Sequence, residues 1–180
     1  MTEHQESGNW YLEVGNCAPI EQGDFVLSCP VLIPTGEQID GELTAIEDQY
    51  DVIVLSQSCD LVAQKPKIEL VLVSPVWALS RFSGTKGGFY ASKEGKEAIR
   101  RGNAPGYHML SKCGIPCFDD EFLVVDFHNV YGVSFLSLIT MLKKQDKRLR
   151  LRPPYREHLS QAFARFFMRV GLPADIPPFR

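Results

Sequence analysis

Apolar residues fall in short blocks of strand length, separated by Gly, Pro and Asp, along most of the chain; only near its end does their spacing become helical. Residues 25–33, after Gly23-Asp24 and before Pro34-Thr35-Gly36, predict a strand in which Pro30 marks a bulge or a sheet edge. Residues 51–56 hold the unbroken run Val52-Ile53-Val54-Leu55, the pattern of a central strand buried on both faces. Residues 68–74 are of the same kind, with Lys65-Pro66 in the connection. Residues 121–127 predict a further strand, and residues 130–135 one that turns back against it. Leu149 and Leu151 alternate with Arg148, Arg150 and Arg152, which gives a strand with one apolar and one strongly basic face.

Helices are fewer. Residues 92–101 predict one capped by Ser92, although Gly95 works against it, and residues 136–143 a short second one. The clearest spans residues 153–171: Pro153-Pro154 set its start, Leu159, Ala162, Phe163, Phe166, Phe167 and Val170 recur at three- and four-residue spacing, and Gly171 with Pro173 ends it. Each buried Phe contributes about 1.5–3 kcal/mol by transfer, so this helix belongs to the core. Arg156, Arg165 and Arg169 lie largely off its apolar stripe. Residues 83–88 read as a flexible loop. Residues 1–15 read as a flexible acidic segment in which Trp10, Tyr11, Leu12 and Val14 are the first side chains able to dock.

Composition narrows the class. With 180 residues, 44% apolar and 23% charged, residues 16–180 make one soluble domain. A domain of that size buries roughly 70% of its unfolded surface and needs no disulfide or structural metal for its core. No apolar run approaches the roughly 20 residues of a membrane-spanning helix, and the first residues lack the pattern of a signal peptide, so a cytoplasmic protein with reduced thiols is expected. Cys113-Gly-Ile-Pro-Cys117 is half of a zinc site, which Cys17, Cys29 or His108 would have to complete; the alternative is a Gly-Pro turn flanked by two packed thiols. Asp119-Asp120-Glu121 could hold a cation but also reads as a solvated strand entrance. Neither a phosphate loop nor a dinucleotide fingerprint occurs, and no metal or cofactor is assigned.

Charge is unevenly distributed. Residues 1–60 contain twelve Asp or Glu and no Lys or Arg, whereas the rest hold all 19 basic residues against ten acidic ones. Either the acidic third packs beside the basic third and neutralises part of it, or the two present opposite surfaces to partners. The densest basic set is Lys143, Lys144, Lys147, Arg148, Arg150 and Arg152, which with Arg156 could contact several phosphates of RNA or DNA.

The local motif with most chemical content is Ser56-Gln57-Ser58-Cys59-Asp60, at the end of a buried strand. Cys59 would be a nucleophile if His108 reached it as base and Asp126 or Asp60 oriented the imidazole. Otherwise Cys59 fills space, and Ser58 or Asp60 caps a turn.

Residues 52–61, with that motif, and the segment Pro153-Pro154-Tyr155-Arg156-Glu157-His158-Leu159 continuing to Phe167 resemble a group of bacterial proteins from variable genomic regions. Gly23-Asp24-Phe25-Val26, with later strands ending in Leu55-Ser56 and Val73-Ser74-Pro75, is similar to the SH3-like barrel of the MazF/PemK toxins. The resemblance implies a small, bent, often dimeric barrel used for RNA cleavage or for docking. The toxins place an arginine in or after the early strands, whereas here no basic residue precedes Lys65, so Arg81, Arg100 or Arg101 would have to contact the phosphate. The expectation is therefore an α+β domain, a partly closed SH3-like barrel with a packed C-terminal helix. Its expected role is a non-catalytic adaptor of a bacterial defence or mobile-element system, held by a larger protein subunit. A MazF-like ribonuclease or a Cys59 thiol hydrolase is the alternative.

Overall fold

Three consecutive β-branched residues, Val52, Ile53 and Val54, are fully buried and organise the molecule. In the computed structural model, which describes residues 10–39, 41–62, 66–113 and 120–168, they end a strand whose successive side chains point to opposite faces. Val52 and Val54 enter one apolar cluster with Val71, Val73, Phe135 and Leu138. Ile53 and Leu55 enter a second with Leu123, Phe127, Leu151 and Leu159.

The described elements run β1 (Tyr11–Gly15), β2 (Phe25–Ile39), β3 (Glu42–Val54), β4 (Leu70–Ala78), α1 (Leu79–Lys86), α2 (Gly88–Ala91), α3 (Lys93–Arg100), β5 (Tyr107–Leu110), β6 (Leu123–Asp126), β7 (Tyr131–Ser134), α4 (Phe135–Leu142), β8 (Lys147–Leu151) and α5 (Tyr155–Phe167). The main sheet has the order β2-β3-β4-β6-β5, with β7 also on β4, and every pairing is antiparallel. Strands β1 and β8 form a separate antiparallel pair, which a bridge from Asp24 to Arg150 ties to the start of β2. No described helix is long and apolar enough to cross a membrane.

The protein is thus α+β, but its sheet is open, with β2 and β5 at the ends, and does not close as a barrel. Both faces of Val52–Val54 are buried, one toward α4 and the other toward α5, so the sheet is covered from both sides without its end strands meeting. A third cluster, Phe82, Ile99, Ala104, Tyr107 and Val124, joins α1 and α3 to β5 and β6.

Several sequence expectations change. Pro34-Thr35-Gly36 does not end β2, which continues to Ile39 and pairs with the first half of β3. Pro30 does sit on an end strand, beside a register shift between Val26 and Cys29. Residues 83–88 are not a loop: α1 reaches Lys86, anchored by buried Phe82, and stops at Gly87, whose φ of 59° is costly for other residues. Strand β7 does not turn back on β6. Both run antiparallel to β4, through Leu70–Val73 and Val76–Ala78 respectively, so Phe127–Val130 is an excursion between two segments of the same direction. The basic edge of residues 147–151 is not a solvent face, since Arg148 and Arg150 are buried. The segment before residue 16 is ordered from Tyr11 as β1. The proposed stop of the last helix at Gly171 and Pro173 lies outside the described residues.

Candidate functional site

The three groups proposed as a catalytic set are not brought together. Tyr107 lies opposite Asp126, and His108 opposite Val125. Neighbouring positions on a strand face opposite ways, so His108 and Asp126 project from opposite faces of the sheet. Asp126, almost fully buried, accepts instead from Lys86 Nζ at 3.1 Å, His128 N at 3.1 Å, His128 Nδ1 at 3.2 Å and Asn129 Nδ2 at 2.9 Å. Burial works against the charge of Lys86, but the hydrogen bond and charge of Asp126 more than offset it and raise the ammonium above its ordinary pKa. The His128 ring packs over Gly106, where any Cβ would overlap it. Asp126 therefore orients the imidazole two residues on, not His108. Cys59 is exposed, and among the described residues its Sγ approaches Asp60 Oδ1, at 3.7 Å.

The motif around Cys59 is a junction. Ser56 Oγ accepts from Leu72 N at 2.9 Å, and Ser58 Oγ from Gln22 N at 3.1 Å. Gln57 Nε2 donates to Ser160 Oγ at 3.0 Å, which fastens the end of β3 to α5, and Asp60 pairs with Lys67 at 3.3 Å. Apart from the thiol, each polar side chain of Ser56–Asp60 holds a neighbouring segment in place.

The basic set divides sharply. Arg148 Nε meets Asp24 Oδ2 at 2.9 Å, and its two Nη atoms donate to the carbonyls of Gly15, Ala18 and Pro19. Arg150 binds both oxygens of Asp24 and reaches Glu21 Oε1 at 2.6 Å; Arg156 takes the other Glu21 oxygen at 3.1 Å. Lys147 pairs with Glu13 at 2.7 Å. Acids of the N-terminal third are thus neutralised by cations near the C-terminus, and Arg148 and Arg150 are removed from any phosphate-binding surface. Lys143, Lys144 and Arg152 remain exposed. Arg81 lies over the Trp77 ring at 5.3 Å, and Arg100 and Arg101 both bind Glu97.

The described cysteines do not converge on one site. Cys29 and Cys113 are buried in different clusters, Cys17 is exposed, and Cys117 and Asp119 lie outside the described residues. Burial pushes the Cys29 thiol up to about 11, so it behaves as a small apolar side chain. Asp120 is exposed, and Glu121 accepts from Ser80 N and Oγ at 2.8 and 2.7 Å. Among the described residues no group of three or more His, Cys, Asp or Glu could hold a metal ion.

What stands free is the outer part of the β2–β3 hairpin. β3 meets β4 only through Val52–Val54, and β2 is an end strand, so from residue 49 outward the two strands pair only with each other among the described residues. Leu32, Leu43 and Ile46 are 70%, 74% and 54% exposed, and Ile33 lies directly opposite Ile46. Between residues 32 and 49 the sequence holds Glu37, Asp40, Glu42, Glu47 and Asp48 and no Lys or Arg. At the base, Asp48 is held below the usual carboxylate range by hydrogen bonds from the Tyr50 hydroxyl and Gln49 N. That bond to Asp48 pushes the Tyr50 phenol up to about 12. Tyr50 in turn packs against Trp77 and Tyr131, which roots the ribbon in the sheet.

No family model, curated protein or solved structure matches this chain. The likeness to MazF/PemK toxins therefore stands on its quoted residues alone, and the geometry must carry the reading. A two-stranded ribbon is marginal by itself, and exposed edges with apolar side chains are templates for association. The sequence carries little sign of the ribbon, because its outer residues, polar with scattered Leu and Ile, show neither clean alternation nor an apolar run. The one sequence sign was the block of acids without a counter-ion.

Proposed function

We propose that the chain is a non-catalytic docking subunit, held by a larger protein of a bacterial defence or mobile-element system through the β2–β3 ribbon. One observation carries this reading: among the described residues, an acidic ribbon with exposed Leu32, Leu43 and Ile46 and two open edges projects from a molecule whose acids at Glu13, Glu21 and Asp24 are neutralised internally. The occupant it suits is a basic surface with an apolar groove, where Leu32 and Leu43, on one face of the ribbon, supply contact area and the carboxylates supply register and encounter rate. The dispersal of Cys59, His108 and Asp126 over separate sites favours docking over a thiol hydrolase. The lack of an early cation still argues against a MazF-like ribonuclease. A bent, SH3-like arrangement of β2–β4 would present such a ribbon equally well.

Affinity purification of the intact protein from its host at moderate salt tests this. One stoichiometric partner is expected to co-purify, to fall by about tenfold or more with the double variant Glu42→Lys/Glu47→Lys, and to be retained by Cys59→Ala and His108→Ala. RNA or ester turnover by the isolated chain, abolished by either of the latter variants, would overturn the reading.

A further inference from the structure

A cavity of about 290 Å³ lies between α3, β5 and α5, away from the ribbon. Arg100 and Arg101 enter it from the end of α3, His108 from β5, and His158, Gln161 and Arg165 from α5, while Ile99, Met109 and Ala162 give it an apolar floor. Among the described residues no carboxylate lines it. Glu97, just outside, takes Arg100 through Nε at 2.7 Å and Nη2 at 2.6 Å, and Arg101 through Nε at 2.6 Å. One carboxylate against two guanidinium groups leaves a net positive charge and the Nη atoms of Arg101 uncommitted. Arg165 is exposed and has no ion-pair partner among the described residues. At the inner wall, His108 Nε2 is buried with no hydrogen-bond partner, a rare state for a polar atom in a folded protein.

We infer that this cleft binds a nucleotide, with the phosphate held by Arg101 and Arg165 and the base lying on the apolar floor beside His108. Guanidinium forks match the oxygens of a phosphate in pairs, and a wall without carboxylates rejects cations rather than anions. The volume is at the small end of ligand pockets, roughly 300–1,000 Å³, which suits one nucleotide and excludes a dinucleotide cofactor. Ile99, Met109 and Ala162 offer the flat face of a base an apolar surface to lie on. Arg148 and Arg150, the first candidates for phosphate contact, play no part. The assignment does not depend on the ribbon having a partner.

The test is calorimetric titration of the full chain with adenosine and uridine 5′-monophosphates, the corresponding nucleosides, an oligoglutamate peptide and a 5′-phosphorylated single-stranded hexanucleotide. A monophosphate is expected to saturate with a Kd of about 1 mM or tighter, at least about tenfold tighter than its nucleoside. Arg165→Ala and Arg101→Glu should each weaken it by about tenfold or more, whereas Lys144→Glu, on an exposed turn, should leave it within about twofold. Thermal melts establish that each variant is folded; Arg165→Ala, a truncation on the exposed face of α5, keeps the test open if Arg101→Glu is not. Equal affinity for monophosphate and hexanucleotide assigns a free nucleotide, and a gain of about tenfold or more with the hexanucleotide assigns the end of a strand. Absence of saturation by either phosphorylated probe, equal binding of nucleoside or oligoglutamate, or indifference to Arg165→Ala overturns the inference.

Discussion

Asp24 is the residue on which the charge distribution turns. It is fully buried and bound by two guanidinium groups that themselves have little contact with water. Removing one member of a buried ion group leaves the others uncompensated, so Asp24→Ala is expected to cost about 3–5 kcal/mol in urea unfolding. Glu13→Gln, which breaks an exposed pair, should cost less than about 1 kcal/mol. His108 provides a pH signature. Burial, and then the charge of His158, push its imidazole down to about 4, against an ordinary value near 6.5. The unfolded chain therefore binds a proton between these values that the folded chain does not. The stability His108 contributes is fully present above pH 6.5 and falls as the pH drops toward 4, by roughly 3 kcal/mol at most. Unfolding followed across that window should show a shallower pH slope for His108→Gln than for the parent protein.

Among the elements, β8, α3, α4 and α5 were legible because each carries a local signal: alternation, a Ser cap, or apolar residues at helical spacing. The cap is present, with Ser92 Oγ accepting from Gly95 N at 3.0 Å. Gly95 itself, unfavourable by propensity, is required by packing, because a Cβ there would overlap the backbone of Phe89 and Tyr90 in α2. Gly95→Ala is therefore expected to lower stability by about 1–3 kcal/mol, although the same change at an unpacked helical site would raise it by about 1 kcal/mol. A melting temperature below the parent's is the readout. Helix α1 was not legible: Ser83 to Gly88 has loop composition, and only burial of Phe82 against Tyr107 and Ile99 makes a helix of it. Tertiary contacts overrode weak propensity there.

At the scale of the molecule, the helices on either side of β3 make two cores rather than the single interior of a barrel. The ribbon extends beyond both. Because its outer residues are exposed, exchanging Leu32 and Leu43 for Ser should leave the melting temperature within a few degrees of the parent, about 2–4 °C, while partner retention falls. Raising the salt from about 0.1 to 1 M should also weaken retention, since exposed charges are screened as the Debye length falls from about 10 to 3 Å.

The run Val52-Ile53-Val54-Leu55 and the apolar stripe of α5 pointed by themselves to a buried strand and a packed terminal helix, since apolar side chains leave water; of that stripe Leu159 is fully buried, Phe163 and Phe166 partly so, and Phe167 is 62% exposed. The charge asymmetry left open whether the two ends of the chain would neutralise each other or face separate partners, and the ion pairs of Glu13, Glu21 and Asp24 decided for the first. Which acids would meet which arginines, that His108 and Asp126 would face away from each other, and that the outer part of β2 and β3 would pair beyond the reach of β4 were decided only in three dimensions. These depend on register and on which strand lies beside which, and both are set by the sum of many weak contacts distant in sequence.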